Sequence, residues 1–227
     1  MSVNKPLLCI HGHFYQPPRE DPFTGAYRVE PEAAPYSNWN ARITAECYGP
    51  NARVGNFERI SFNFGGTLAR WMDQEAHPTY QSIVNAAQRY YRRYNVGNGM
   101  AQSVHHTILP LARGRDKRCQ VRWGIASFQH RLGYRPDGIW LPEMAVDEET
   151  LEAVAETGVW FVILSDEQVK GDLSSGAGPY KVRLSRDRFI TVFVRDRSLS
   201  NHLSFNMPPA KDARDWVNGV LQKRKPG

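Results

Sequence analysis

The segment Gly138-Ile139-Trp140-Leu141-Pro142-Glu143 is a short apolar run that ends on an acidic side chain. Residues 138–141 are a short apolar run that begins at a Pro-Asp-Gly turn sequence, and this pattern predicts a buried β-strand. Pro142 ends the strand, because proline has no N–H to donate to a β-ladder. The acidic side chain of Glu143 is therefore predicted to lie just beyond the carboxyl end of a strand.

A helix and a second strand follow this stretch directly. Asp147 precedes an apolar stripe within residues 151–155, and Gly158 lies beyond it, which is the pattern of a capped helix. Residues 160–164 then predict another buried strand. Strand–helix–strand units of this kind are right-handed and parallel, and they present functional groups at the carboxyl ends of their strands. Glu143 is therefore a candidate site residue, although a solvated loop carboxylate is the alternative interpretation.

The same alternation runs along the rest of the chain and predicts an α/β fold. Pro17–Pro35 and residues 170–178 are predicted loops. The first strand would deliver His11 and His13 to its carboxyl end. Further strands are predicted at residues 7–10, 60–64, 98–103, 180–184 and 189–194, and helices at residues 38–47, 67–74, 80–94, 116–132 and 211–223, with Asp116 and Gly133 as the caps of the fourth of these helices.

Composition is compatible with one domain and argues against several other classes of protein. The chain has 227 residues, of which 41% are hydrophobic, and can bury a sizeable core. Its net charge of +6 comes from dispersed basic residues, which is typical of a solvated surface rather than a nucleic-acid site. Three separated cysteines, Cys9, Cys47 and Cys119, argue against a disulfide framework. The amino end is too weakly apolar for a signal peptide or membrane span, so a cytoplasmic location is predicted.

Several motifs of the chain resemble those of glycoside hydrolase family 57, whose α-glucan-active members include amylases, glucanotransferases and branching enzymes. Residues 138–147, with Trp-Leu-Pro-Glu, resemble the nucleophile motif. Residues 13–20 resemble the first motif, a histidine followed by Gln-Pro, and residues 106–111 the second, a histidine shortly before Leu-Pro. Residues 36–50 and 59–65 are similar to a branch of poorly defined activity.

The resemblance implies a seven-stranded, irregular (β/α) barrel that acts on α-glucans as a retaining hydrolase or glucanotransferase. Retention requires two carboxyl groups about 5–5.5 Å apart. The resemblance implies Glu143 as nucleophile and Asp196, at the end of a later strand, as acid/base. Asp166 is a rival acid/base and could instead bind a sugar hydroxyl. Arg195 and Arg197 flank Asp196, and a cation there opposes the protonated form of an acid unless Arg195 points to the strand's other face.

Histidines, an amide and aromatic rings complete the predicted sugar pocket, and no cofactor or metal is predicted. His13 and His106 would bond to sugar hydroxyls or developing charge, and Gln16 can donate and accept at once. Trp140 and Trp39 would stack on a pyranose face. Each has a structural interpretation as well, since tryptophans in strands are commonly core and His106 could belong to a helix surface.

The chain departs from the family pattern in its first motif and at its carboxyl side. Tyr15 stands where the motif has a second histidine, directly before Gln-Pro, and residues 51–60 are a shorter stretch than in the similar branch. The long helical region that follows the family's barrel has no counterpart. Residues 1–227 are therefore expected to form one catalytic barrel domain, truncated on that side, with an α-glucan or oligosaccharide as partner. Oligomeric state, glucan linkage and the choice between hydrolysis and transfer stay open.

Two other functions stay open. A metal-dependent polysaccharide deacetylase uses a related barrel, and His11, His13, His106 and Asp166 are candidate ligands for its divalent metal. The Asp-Asp pair and His-x-x-x-His sequence typical of those enzymes do not occur in the chain. A noncatalytic carbohydrate-binding fragment would keep the pocket without the chemistry, and its sugar binding would survive loss of Glu143.

Overall fold

A computed structural model of the protein describes residues 7–173, 176, 178–206 and 213–223. Seven strands form one sheet in the order β1-β2-β3-β4-β5-β7-β6. The strands are β1 (His11–Phe14), β2 (Ser61–Phe64), β3 (Gly99–Gln102), β4 (Gly138–Trp140), β5 (Phe161–Ser165), β6 (Tyr180–Arg183) and β7 (Phe189–Arg195). All neighbours are parallel except β6 and β7, which form an antiparallel pair. The predicted seven-stranded α/β architecture is confirmed, and in the described part of the chain the sheet is open between β1 and β6.

In the described part of the chain, helices connect the successive strands from β1 to β5, and two further helices follow β7. They are α1 (Trp39–Ile43), α2 (Gly49–Arg53), α3 (Gly66–Glu75), α4 (His77–Tyr94), α5 (Gly114–Leu132), α6 (Glu148–Ala155), α7 (Arg197–Phe205) and α8 (Ala213–Lys223). None of the helices in the described ranges has both the length and the apolar character needed to cross a bilayer.

One apolar core joins the sheet to helices α3 to α6. Phe62 of β2 and Ile139 of β4 are fully buried, as are Leu68 of α3 and Val121 of α5. In β7 the buried residues alternate with partly exposed ones, so one face of the strand packs on this core and the other faces away from it. Burial of apolar area stabilises this layer by roughly 25 cal/mol per Å².

The first strand lies four residues later than predicted. Residues 7–10 are outside the sheet, and Leu7 and Ile10 are exposed. The ladder between β1 and β2 instead runs from His11 opposite Ser61 to Phe14 opposite Phe64. The prediction relied on local hydrophobicity, whereas pairing with a strand fifty residues away sets the true limits. The two histidines therefore lie within the strand and not after it.

Two predicted helices need correction, and one helix has no counterpart in the prediction. The helix predicted at residues 38–47 is α1, capped by Asn38, followed by a π-helical turn at Thr44–Tyr48 and then α2. Helix α5 starts at Gly114, so Asp116 lies within its first turn and is not its cap, whereas Gly133 ends it in a left-handed conformation as predicted. Helix α7 was not predicted.

Two predicted segments lie partly outside the described residues. Residues 211 and 212 of the last predicted helix are outside them, and the described helix begins at Ala213. Residues 174, 175 and 177 of the predicted Gly/Ser-rich loop are outside them too.

Helix α5 packs directly on the backbone of β3 at Gly124. A Cβ atom at this position would lie 1.9 Å from the carbonyl oxygen of Gln102. Only glycine permits so close an approach of helix and strand. Because Gln102 is the last residue of β3, this contact fixes the carboxyl end of the strand.

We expect Gly124→Ala to lower the free energy of unfolding by about 1–3 kcal/mol, because the added methyl group meets backbone that cannot rotate away. Gly219 is the matched control, since it also lies inside a helix and nothing lies within 4 Å of its Cβ position. Gly219→Ala should raise stability by about 0.5–1 kcal/mol through helix propensity. Urea unfolding measures both, and stabilisation by both substitutions would contradict the close packing of α5 on β3.

Candidate active site

Glu143 lies in a tight turn between β4 and α6. Pro142 ends the β-ladder, and Pro142–Met144 forms a single 3-10 turn. Within it, both Glu143 and Met144 have φ of 54°, in the left-handed region. The amide of Met144 donates to the carbonyl of Leu141 at 2.8 Å, and that of Ala145 to the carbonyl of Pro142 at 3.0 Å. The turn leaves the Glu143 side chain 69% exposed, so its carboxylate is accessible from solvent.

Glu143 shares a cavity with side chains from three strands or strand ends. The cavity has a volume of about 240 Å³ and is lined by His13, Trp140, Glu143, Met144 and Arg195. His13 belongs to β1, Trp140 ends β4 and Arg195 ends β7. Parallel pairing thus brings together residues that are far apart in the sequence.

A pair of histidines stands beside the Glu143 carboxylate. Nε2 of His106 lies 4.0 Å from Oε1 of Glu143 and 3.4 Å from Nε2 of His13. His106 lies in the loop after β3, with φ of 57°, and its side chain is 4% exposed. The interpretation of this residue as part of a helix surface is therefore wrong. The Tyr15 ring packs against His106, with a distance of 3.6 Å between ring centroids.

A polar network beneath these histidines was missed by sequence reasoning. His11 contacts Oγ of Ser61 at 2.9 Å through Nδ1 and Oδ1 of Asn63 at 3.1 Å through Nε2. Oδ1 of Asn63 also lies 3.1 Å from Nδ1 of His13, and its Nδ2 donates to Oε1 of Gln102 at 2.5 Å. Asn63 and Gln102 are buried in β2 and β3. The spacing of two residues in His11/His13 and in Ser61/Asn63 is the signal that could have placed all four on one face of the sheet.

Burial keeps the site histidines neutral. It lowers the pKa of His11 to about 4 and that of His106 to about 4, and the neighbouring His13 adds to the lowering for His106. Burial also lowers the pKa of His13, and this outweighs the hydrogen bond to Asn63 and the charge of Glu143, which act in the opposite direction. Near pH 7 each ring therefore has one donor and one acceptor nitrogen. Burial, followed by the charge of Glu143, raises the pKa of Tyr15.

Asp196 directly follows β7, as predicted, but its carboxylate serves as the cap of α7. One oxygen accepts a hydrogen bond from the amide of Leu199 at 2.9 Å. Asp196 lines a second cavity of about 510 Å³ that includes His202 and Trp216, and it is not among the residues that line the Glu143 cavity. Its neighbour Arg195 does line the Glu143 cavity, with Nε 3.5 Å from Oγ of Ser165.

Gln16 and Trp39 do not line the Glu143 cavity. Nε2 of Gln16 donates to the hydroxyl of Tyr48 at 3.3 Å, and Oε1 accepts from Arg19 at 3.2 Å. The Trp39 ring lies beneath a guanidinium group at 5.0 Å. Trp140, in contrast, forms a wall of the cavity, and its ring stacks on His13 with centroids 4.8 Å apart.

The proposed ligands of a deacetylase-like metal site are not assembled. Asp166 pairs with Nε of Arg197 at 3.5 Å, and its carboxylate accepts from the amide of Glu167. Across the described ranges, no three His, Cys, Asp or Glu side chains are grouped in a way that could hold a metal ion.

The chain is similar to enzymes named for α-glucan chemistry. It is 26% identical over 108 residues to α-amylase 1 of Dictyoglomus thermophilum, covering 47% of this chain and 15% of that protein. It is 22% identical over 168 residues to a 4-α-glucanotransferase of Thermococcus litoralis, covering 71% of this chain and 24% of that protein. The chain thus spans less than a quarter of the length of these curated relatives.

Solved structures show the same fold. A crystal structure of the Thermococcus litoralis 4-α-glucanotransferase superposes with a TM-score of 0.67 at 18% identity, over 93% of this chain and 30% of that chain. A GH57-type branching enzyme of Pyrococcus horikoshii gives a TM-score of 0.59 at 15% identity, over 83% and 47% of the two chains.

A family model decides the affiliation of the chain. The model described as Glycosyl hydrolase family 57 matches residues 34–227, which is most of the sequence and includes the Glu143 turn and β7. The chain belongs to glycosyl hydrolase family 57.

Proposed function

We propose that the chain is the catalytic barrel domain of an α-glucan-active, retaining glycoside hydrolase or glucanotransferase. Family membership and the names of the similar enzymes support the substrate class. The observation that carries the proposal is the exposed Glu143 carboxylate, held in a left-handed turn at a cavity lined by His13 and Trp140.

Glu143 would act as the nucleophile. Its ionised carboxylate attacks the anomeric carbon, a glycosyl ester forms, and the bond to the leaving oxygen breaks as that oxygen takes a proton from the acid/base. Water or a sugar hydroxyl then attacks the anomeric carbon, the bond from this carbon to the Glu143 carboxylate oxygen breaks, and the acid/base recovers its proton from the attacking group. Water gives hydrolysis and a sugar hydroxyl gives transfer, so both outcomes use the same intermediate.

Neutral histidines suit a sugar that carries no charge. His106 and His13 can each donate one hydrogen bond and accept another, which matches the two roles of a sugar hydroxyl. His106 lies 4.0 Å from the carboxylate, close enough to contact a sugar held in the attack position. A protonated pair at this place would instead compete with the substrate for Glu143.

Asp196 is proposed as the acid/base. Its support is its position directly after the carboxyl end of β7, where the resemblance to the family implies an aspartate as acid/base. The cap that Asp196 provides to α7 keeps its carboxylate at the end of the strand. Asp166 is the rival, and its carboxylate pairs with Nε of Arg197 at 3.5 Å. A noncatalytic sugar-binding role remains the second candidate, because the cavity does not depend on the chemistry.

Replacement of the nucleophile is the first test. We expect Glu143→Gln to reduce turnover of maltooligosaccharides by a factor on the order of 10⁴ or more while sugar binding persists. Glu148→Gln, an exposed glutamate at the start of α6, is the matched control and should keep wild-type turnover. Chromatography follows the products and calorimetry the binding. Wild-type turnover by the Glu143 variant would rule out this nucleophile, and binding without turnover by the wild-type chain would favour the noncatalytic role.

The acid/base is tested by substrates that differ in their leaving group. Asp196→Asn should slow maltooligosaccharide cleavage strongly but spare α-glucosyl fluoride, whose leaving group needs no proton. Asparagine is itself a good helix cap, so α7 should persist. Asp166→Asn is the matched comparison and should cleave both substrates at the wild-type rate. If Asp166→Asn instead slows only maltooligosaccharide cleavage and Asp196→Asn has no effect, Asp166 is the acid/base.

Neutral histidines also make stability depend on pH. Because the pKa of His106 is about 4 in the folded chain and near 6.5 when unfolded, the unfolded chain binds more protons between these values. The contribution of neutral His106 to the free energy of unfolding is therefore complete above about pH 6.5. It is lost as the pH falls toward 4. We expect His106→Asn to flatten this dependence in urea unfolding, and the exposed His130→Asn to leave it unchanged. An unchanged slope in the His106 variant would contradict its neutral state.

A further inference from the structure

The Glu143 turn requires support from outside itself. A non-glycine residue in the left-handed region costs about 1–3 kcal/mol, and two such residues, Glu143 and Met144, follow each other here. Such a conformation persists only where the surroundings hold it. The two hydrogen bonds inside the turn satisfy the amides of Met144 and Ala145 but leave the carbonyl of Met144 pointing out of the turn.

Gln168 meets that carbonyl. Its Nε2 donates to the carbonyl oxygen of Met144 at 2.6 Å. Its Oε1 accepts a hydrogen bond from the amide of Ser165 at 2.9 Å. Ser165 is the last residue of β5 and is 2% exposed, so the acceptor end of the amide is anchored in the sheet. The Gln168 side chain thus links the end of β5 to the turn after β4.

The remaining anchors of the turn lie at its two ends. On one side Gly138 of β4 pairs with Phe161 of β5. On the other side Asp147 caps α6 by accepting from the amide of Thr150 at 2.7 Å, and it also accepts from Nζ of Lys117 at 2.9 Å. Lys117 is 1% exposed, so its ammonium group is a fixed point. The middle of the turn, where Glu143 lies, is held from β5 by Gln168.

We propose that Gln168 is a positioning residue for Glu143. Its amide fixes the Met144 carbonyl, and through the peptide chain this fixes the direction in which the Glu143 carboxylate enters the cavity. The role rests on the proposed function of Glu143 as nucleophile. Gln168 itself touches neither the cavity nor the carboxylate in its described contacts.

Gln168→Glu tests the proposal because it removes one of the two hydrogen bonds of this side chain, the one to the Met144 carbonyl. The variant keeps an oxygen for the Ser165 amide but faces the Met144 carbonyl with an oxygen that cannot donate while ionised. We expect kcat to fall roughly 10- to 100-fold, as for a misplacement of about 1 Å, with little change in KM. Acid should restore a donor by protonating the introduced carboxyl, so the ratio of variant to wild-type kcat should rise as the pH falls.

Charged side chains of the same turn, of α7 and of β7 lie near the substituted position. Asp166 and Glu167 belong to the same turn and both pair with Arg197 of α7, while Arg195 of β7 contacts Ser165. They are common to wild-type and variant chains, so the ratio of the two pH profiles reports on the introduced carboxyl.

Thr157→Val is the matched control. The Thr157 hydroxyl also donates to a backbone carbonyl at 2.6 Å, that of Val154, but at the far end of α6. This control should lose stability without loss of kcat. An equal loss of kcat in the two variants would overturn the proposal, since general destabilisation would then explain it.

A crystal structure of the Gln168→Glu variant gives a readout that does not require activity. Relaxation of Glu143 and Met144 out of the left-handed region supports the proposal. A turn that stays left-handed overturns it, and so does a relaxed turn with wild-type kcat. Failure of the proposed function is recognised separately, by wild-type turnover in the Glu143→Gln variant or by no turnover in the wild-type chain.

Discussion

The left-handed turn at Glu143 and Met144 is the constraint on which the site depends. It exists because Pro142 ends β4, because Asp147 starts α6 three residues after Met144, and because Gln168 holds the intervening carbonyl. If Glu143 and Met144 were extended or helical, the Glu143 carboxylate would point in another direction. The conformation costs free energy, and strain of this kind is commonly found where a fold presents a functional group.

Desolvation, more than charge, sets the protonation of the site. His106 lies 4.0 Å from Oε1 of Glu143, and an ion pair at that distance is worth only about 1 kcal/mol in water-like surroundings. Glu143 is 69% exposed, so water screens its charge. Lowering the pKa of the buried His106 from 6.5 to about 4 corresponds to about 3 kcal/mol in favour of the neutral ring. Burial therefore outweighs the charge of Glu143, and neutral histidines stand beside its carboxylate.

The elements that were predicted well are those whose signal is local. The β4–α6–β5 unit has its turn, cap and apolar runs within residues 136–165, and each was found. The position of β1 was missed, because its limits are set by pairing with Ser61–Phe64, which no local pattern encodes. Helix α7 was missed because Asp196 was interpreted only as a catalytic group, although the same side chain is a strong helix cap.

Some of the predicted site residues lie close together, where motif and topology agree. His13, Trp140 and Glu143 line one cavity, and His106 stands beside it. Gln16, Trp39 and Asp166 use their polar or aromatic groups in other contacts. Gln102 and Gln168 had no signal of their own, because amides are common on protein surfaces and acquire a role only when parallel strands bring their ends together. These side chains reach the site only because strand pairing brings together residues that are far apart in the sequence.

Trapping of the covalent glycosyl-enzyme intermediate would identify the nucleophile. A fluorinated α-glucosyl fluoride reacts with a retaining enzyme quickly and leaves it slowly, so the glycosyl ester accumulates. Mass spectrometry of the intact chain, followed by peptide mapping, locates the adduct. We expect one sugar per chain on the peptide that contains Glu143. An adduct on Asp166, Asp196 or another side chain, with Glu143 unmodified, would contradict the account.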